Sequence, residues 1–232
     1  VKVPEHAYTA GAMPPRQAVR RFELRRGAAG PLGVAALCVV ALALVWAIAE
    51  LIPAVQWKDA AALHDFTLLS RPRVDDPANF VLHLLDPLQF VLWGIALVAI
   101  AIARERPRVA LAVVAVMALA PLTAETLKPL LAHPHLSVGG VYIGAASWPS
   151  GHSTAAMSLA LSAVLVVPTR LRPIVAGIGL AFALAVGCAL LILAWHMPSD
   201  VLGGYLVATL WAALAVAAVR AADRRWPPRA RP

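Results

Sequence analysis

Apolar and polar positions alternate along this chain in long blocks. Six apolar stretches lie at roughly 31–54, 84–104, 108–127, 151–168, 173–194 and 200–222, separated by shorter polar segments. Each stretch is long enough, or nearly so, to cross about 30 Å of hydrocarbon as a helix, which takes about 20 residues. Only closed secondary structure is stable there, because lipid offers no partner to backbone N–H and C=O groups. The pattern therefore predicts an all-α integral membrane protein built as a six-transmembrane-helix bundle. The fourth stretch is the shortest and is expected to begin inside the membrane face. By the same reading residues 1–30 form a basic cytoplasmic tail, 31–222 the transmembrane domain, and 223–232 a second basic tail. Residues 1–30 are polar and basic and carry no pattern of a secretory signal peptide.

Composition agrees: 61% of the 232 residues are hydrophobic and 14% are charged, against roughly 25% charged in an ordinary soluble domain. Cys38 and Cys188 fall inside apolar runs without metal or disulfide spacing and read as small buried hydrophobes. Charge placement gives an orientation. Sixteen of the 20 Lys and Arg residues lie in the amino-terminal tail, around Arg104–Arg108, around Arg170–Arg172, or from Arg220 onward. The other side keeps Lys58, Arg71, Arg73 and Lys128. This asymmetry predicts a multi-pass cell-membrane protein with both termini cytoplasmic. It also removes nucleic acid as the partner implied by the net charge of +8, because the basic residues flank spans, where anionic headgroups attract them. In the longest outer connection, 55–83, the stretch from Trp57 to Leu69 reads as a short interfacial helix. Asp76-Pro77 reads as the start of another helix.

The polar residues near the last four spans collect on the outer side: Glu125, Lys128, His133, His135, Ser150, His152, His196 and Asp200. Polar groups at membrane depth are costly and tend to be functional. In Trp148-Pro149-Ser150-Gly151-His152-Ser153, Pro149 stops a loop and opens a helix. Gly151 permits close backbone approach, and the free N–H groups of a first turn attract an anion. Ser150 adds a hydroxyl and His152 a proton donor or acceptor; capping alone would also explain the serine. In Trp195-His196-Met197-Pro198-Ser199-Asp200, the carboxylate is spaced to bond one imidazole nitrogen and leave the other as a nucleophile. Asp200 is also at a position where aspartate simply caps a helix. Lys128 is placed either to snorkel or to hold a phosphate, with Glu125 one turn earlier as its pair. The histidines could alternatively ligate zinc, but His133-Pro134-His135 lacks a helical metal spacing.

From Lys128 to Tyr205 the sequence resembles the type 2 phosphatidic acid phosphatase (PAP2) family of membrane lipid phosphatases. Pro149-Ser150-Gly151-His152 matches the middle part of the family signature, and His196 with Asp200 matches the end of the last part, followed by Val201-Leu202-Gly203-Gly204. The resemblance implies hydrolysis of a lipid phosphate or diphosphate on the outer membrane face, with no metal or other cofactor. It implies that His196 attacks phosphorus and forms a phosphohistidine. Asp200 orients it, and His152 protonates the leaving oxygen and then activates water. Lys128, Ser150, Gly151 and His135 are expected to hold the phosphoryl group. Two signature arginines are missing: His135 (or His133 on a shorter spacing) stands at the first, and Leu190 at the second, with Ala189 where serine is usual. Neither replacement offers a permanently charged bidentate donor. A binding protein that kept the fold and lost turnover is therefore the alternative. A transporter, suggested only by helix count, lacks intramembrane charge pairs or broken-helix symmetry. The expected partners are the lipid substrate and the bilayer; the sequence does not speak to oligomeric state.

Overall fold

The structure is a computed structural model that describes residues 15–226, with side chains from Gly30 onward. The expected tail residues Lys2, Arg229 and Arg231 lie outside the described residues. The described chain is helical, without strands. Helices α1 (Pro15–Leu51), α2 (Pro53–Thr67), α3 (Pro72–His83) and α4 (Pro87–Ala103) make the first half. Helices α5 (Pro107–Leu130), α6 (Gly151–Val166), α7 (Arg172–Ile192) and α8 (Pro198–Arg225) make the second. Proline opens α2, α3, α4, α5 and α8, where its missing N–H is one that a helix start leaves unbonded anyway and its φ is already helical.

A helix stands at each of the six apolar stretches. By length and composition Gly30–Leu51, α5, the segment Thr169–Ile192 containing α7, and α8 can cross a membrane. Helices α3 and α4 pass together only as a pair bent by 54°. Helix α6 has 16 residues, about 24 Å of rise, less than the hydrocarbon thickness. The chain is a multi-pass membrane protein, with large apolar side chains such as Leu37, Leu88, Leu111 and Ile178 exposed on its outer helices.

Asp76-Pro77 does not start a helix. Helix α3 starts five residues earlier, at Pro72, after an extended Arg71, and Pro77 lies inside it. The capping carboxylate is Asp75, which accepts from the Arg71 N–H at 3.2 Å and from Ser70 Oγ at 2.9 Å. An earlier Arg-Pro pair supplied both the extended residue and the N1 proline, so the later Asp-Pro was not needed. The helix expected around Trp57 is present as α2.

Helices α6 and α8 form the centre. Helix α6 packs on α5, α7 and α8, while α8 packs on α1, α5 and α6. The buried side of α6 is Ser153, Thr154, Ala155, Ala156, Ser158, Ala160 and Ser162, small side chains that let helix backbones approach closely. At one end of the bundle the arginines tie the turns together: Arg106 donates to the Leu165 carbonyl at 3.2 Å and Arg108 pairs with Asp223 at 2.6 Å. The candidate site residues lie at the other end.

Candidate active site

The first turn of α6 is built around one residue, Ser150. Ser150 caps the helix, its Oγ accepting from the Ser153 N–H at 3.4 Å. Its carbonyl accepts from Ser153 Oγ at 3.1 Å and Thr154 Oγ1 at 2.7 Å. Its own N–H leaves the helix and donates to the Asp200 carbonyl at 2.9 Å. That bond joins the start of α6 to the start of α8. The close approach explains the Gly203-Gly204 pair that follows Asp200. A Cβ on Gly203 would lie 2.8 Å from the Trp148 ring. One on Gly204 would lie 2.5 Å from the Ser150 carbonyl oxygen and nearer still to Ser153 Oγ.

The start of α8 holds the second motif. Asp200 is fully buried, and its Oδ2 lies 3.2 Å from His196 Nδ1 and accepts from the Met197 N–H at 2.9 Å. The imidazole is thus fixed through Nδ1, and Nε2 is the nitrogen left for chemistry. The His152 ring meets Trp195 edge-on at 5.5 Å between centroids. Its charged neighbours are His196, Asp86, Lys128 and Glu125. Lys128 Nζ pairs with Glu125 Oε1 at 2.6 Å. The pair lies over Gly151, where a Cβ would be 2.9 Å from Glu125 Oε1 and 3.6 Å from Lys128 Nζ. Glycine there lets a cation and the first turn of α6 face the same space.

His135 is brought to the same end by the loop after α5. That loop is pinned to α1 by Trp46 Nε1, which donates to the Leu131 carbonyl at 3.2 Å. Both ring nitrogens of His135 face protein partners: Nε2 lies 2.9 Å from Ser147 Oγ and Nδ1 lies 3.4 Å from Glu50 Oε2. Neither is directed to a phosphoryl oxygen while these contacts hold. Burial holds the His135 imidazole below its ordinary pKa, against the opposing pull of Asp200, so it is not a substitute for a permanent guanidinium charge. Leu190, at the second missing arginine, is fully buried in an apolar cluster with Leu63, Leu82, Val186 and Val201.

Two acidic residues at this end were not singled out from the sequence. Glu50, at the end of α1, is 2% exposed, and its Oε2 lies within 3.6 Å of His133 Nδ1 as well. A lone acid in an otherwise apolar span was the available signal. Asp59, on α2, accepts from the Ser199 N–H at 3.2 Å and Ser199 Oγ at 2.6 Å. Burial raises the Asp59 pKa above its ordinary value; the Ser199 hydrogen bond pulls it back and Asp200 pushes it up further.

The family model described as the PAP2 superfamily matches residues 109–224. The fold is similar to that of a solved structure described as the first transmembrane PAP2-type phosphatidylglycerolphosphate phosphatase from Bacillus subtilis. That match has a TM-score of 0.67 and 22% sequence identity, and covers 88% of this chain and 100% of the other. No curated protein matches the chain.

Proposed function

Because the chain belongs to the PAP2 superfamily, we propose that it hydrolyses a lipid phosphate or diphosphate through a phosphohistidine. The observation that carries this reading is the linked pair of motifs. Asp200 holds His196 through Nδ1 at 3.2 Å, while its carbonyl receives the Ser150 N–H at 2.9 Å. A nucleophile and a helix amino terminus suited to an anion are thereby fixed to each other.

In the first step His196 Nε2 attacks phosphorus, the bond to the leaving oxygen breaks, and His152 gives that oxygen a proton. In the second step His152 takes a proton from water, the resulting oxygen attacks phosphorus, and the P–N bond breaks to release phosphate. Asp200 stabilises the imidazolium form of His196 that accompanies attack. Lys128, Ser150 and the N–H groups at Gly151 and His152 are the groups proposed to hold the phosphoryl oxygens.

The proposed substrates are polyprenyl diphosphates, phosphatidic acid or phosphatidylglycerol phosphate, with the apolar tail among the helices and the headgroup at the site. The site is assigned to the outer face and both termini to the cytoplasm, because the arginine-rich turns gather at the opposite end. The proposed domain division, 1–30, 31–222 and 223–232, follows the same logic. Helix α1 nevertheless continues back to Pro15 and α8 on to Arg225, so the boundaries mark composition rather than helix ends.

Leu190 and His135 support a second reading, in which the protein binds lipid phosphate without efficient turnover. The test is phosphate release by detergent-purified protein across the three lipids, with acid-labile phosphohistidine trapped after rapid quench. Release that His196→Ala abolishes is the expected result. Binding of lipid phosphate with neither release nor trapped phosphohistidine would leave the second reading.

A further inference from the structure

Beside His196 and its partner Asp200, three groups converge. Ligand atoms of Glu50, His135 and Asp200 all lie within 4.8 Å of one another. The two carboxylates are 2% and 0% exposed. Each has one oxygen, Glu50 Oε2 and Asp200 Oδ1, that is buried without a hydrogen-bond partner. A buried carboxylate oxygen without a partner is costly, and two near each other repel.

We propose that Glu50, His135 and Asp200 bind a divalent cation of the zinc type, which offsets the two buried carboxylates. The donors, one imidazole nitrogen and two carboxylate oxygens, are of types that bind zinc, and three of them leave a further position for water. Spacing supports it. At 2.0–2.1 Å from a tetrahedral ion, two ligand atoms stand about 3.3–3.4 Å apart. Glu50 Oε2 and His135 Nδ1 are 3.4 Å apart, and no hydrogen bond to Oε2 forms. The remaining His135 nitrogen, Nε2, is 2.9 Å from Ser147 Oγ, the kind of outer partner that orients a metal-ligating imidazole. Asp200 would reach the ion through Oδ1 while Oδ2 still holds His196 and the Met197 N–H. The ion takes no part in the bonds made or broken at phosphorus. It holds the loop after α5, the end of α1 and the start of α8 together, and through Asp200 it positions His196.

The experiment measures metal directly, so its outcome is independent of the proposed reaction. Detergent-purified full-length protein is stripped with a chelator and titrated with Zn²⁺ against a competing indicator dye. The expected result is one equivalent bound, with affinity lowered about 100-fold or more in Glu50→Gln and in His135→Gln, at least as large as losses seen on removing outer partners. Equal affinity in either variant, or no tight equivalent in the unaltered protein, overturns the proposal. Should a variant fail to fold, Co²⁺ added to the unaltered protein gives a second reading. The intense visible bands of a four- or five-coordinate ion with a nitrogen ligand are expected, and the weak spectrum of hexa-aquo cobalt would overturn it.

Discussion

Adding one methyl group at Gly204 tests whether the two halves of the site are held by close helix contact. The new Cβ would lie 2.5 Å from the Ser150 carbonyl oxygen and 2.9 Å from Thr154 Oγ1, where ordinary contact begins at 3.4 Å. Ser153 Oγ is closer still but can rotate away, giving up its 3.1 Å bond to the Ser150 carbonyl. The carbonyl oxygen is not free to rotate away, because it accepts the Thr154 N–H in the first turn of α6 and the preceding peptide is held by the Ser150 N–H bond to the Asp200 carbonyl. Relief therefore requires α8 to back away by about 0.9 Å, the shortfall from ordinary contact. Overpacking of this kind costs about 1–3 kcal/mol, and a weakened buried hydrogen bond adds about 1 kcal/mol. Gly204→Ala is thus expected to destabilise the protein by about 2–4 kcal/mol. Because Asp200 and His196 move with α8, a displacement near 1 Å should also lower turnover by about 100-fold. Thermal unfolding in detergent and initial rates of phosphate release measure the two effects. Gly177→Ala on α7, where a Cβ meets nothing within 4 Å, is the control. A Gly204→Ala protein with unchanged melting temperature and a rate within about threefold of the parent, a change under 1 kcal/mol, would refute the reasoning.

Three further outcomes follow from the same geometry. Asp200→Asn keeps the volume but replaces the acceptor for His196 Nδ1, and kcat should fall by about 10⁴-fold, as when the orienting carboxylate of another catalytic triad is amidated; phosphohistidine trapping shows whether the loss precedes the intermediate. Lys128→Met removes the proposed phosphate cation and should lower kcat/KM about 10–100-fold, the equivalent of one charged hydrogen bond, with little change in melting temperature because its Glu125 partner is exposed. Asp59 has a folded pKa raised above its ordinary 3.8, mainly by burial. Its protonated form is therefore favoured by folding: the stability it contributes is full below the unfolded value and is lost as pH rises through the folded one. Asp59→Asn should remove that loss, so melting temperature against pH should be flatter in the variant across that window; parallel curves would contradict it.

The site was legible where its chemistry is local. Ser150 and His152 sit in one helix turn and its cap, and His196 and Asp200 are four residues apart at the start of α8, so their spacing alone placed them together. The Glu125–Lys128 pair was readable for the same reason. The start of α3 was misplaced because Arg71-Pro72 and Asp76-Pro77 both carry helix-start signals, and Pro77 is accommodated inside the helix rather than at its start. Glu50 lies 85 positions from His135, and Asp59 lies 140 from Ser199. No periodicity links residues so far apart.

The sequence by itself determined the helices and their order, because hydrocarbon accepts only internally bonded segments and each apolar run must satisfy its own backbone. It also determined which end of the bundle carries the arginines and which carries the histidines. Only the tertiary structure decided what surrounds the motifs. The closeness of α6 to α8 at Gly203-Gly204, the burial of Leu190 in apolar contacts, and the meeting of Glu50 with His135 and Asp200 all depend on how separate helices pack. Packing of that kind is set by shape over long chain separations, which local patterns of polar and apolar residues do not encode.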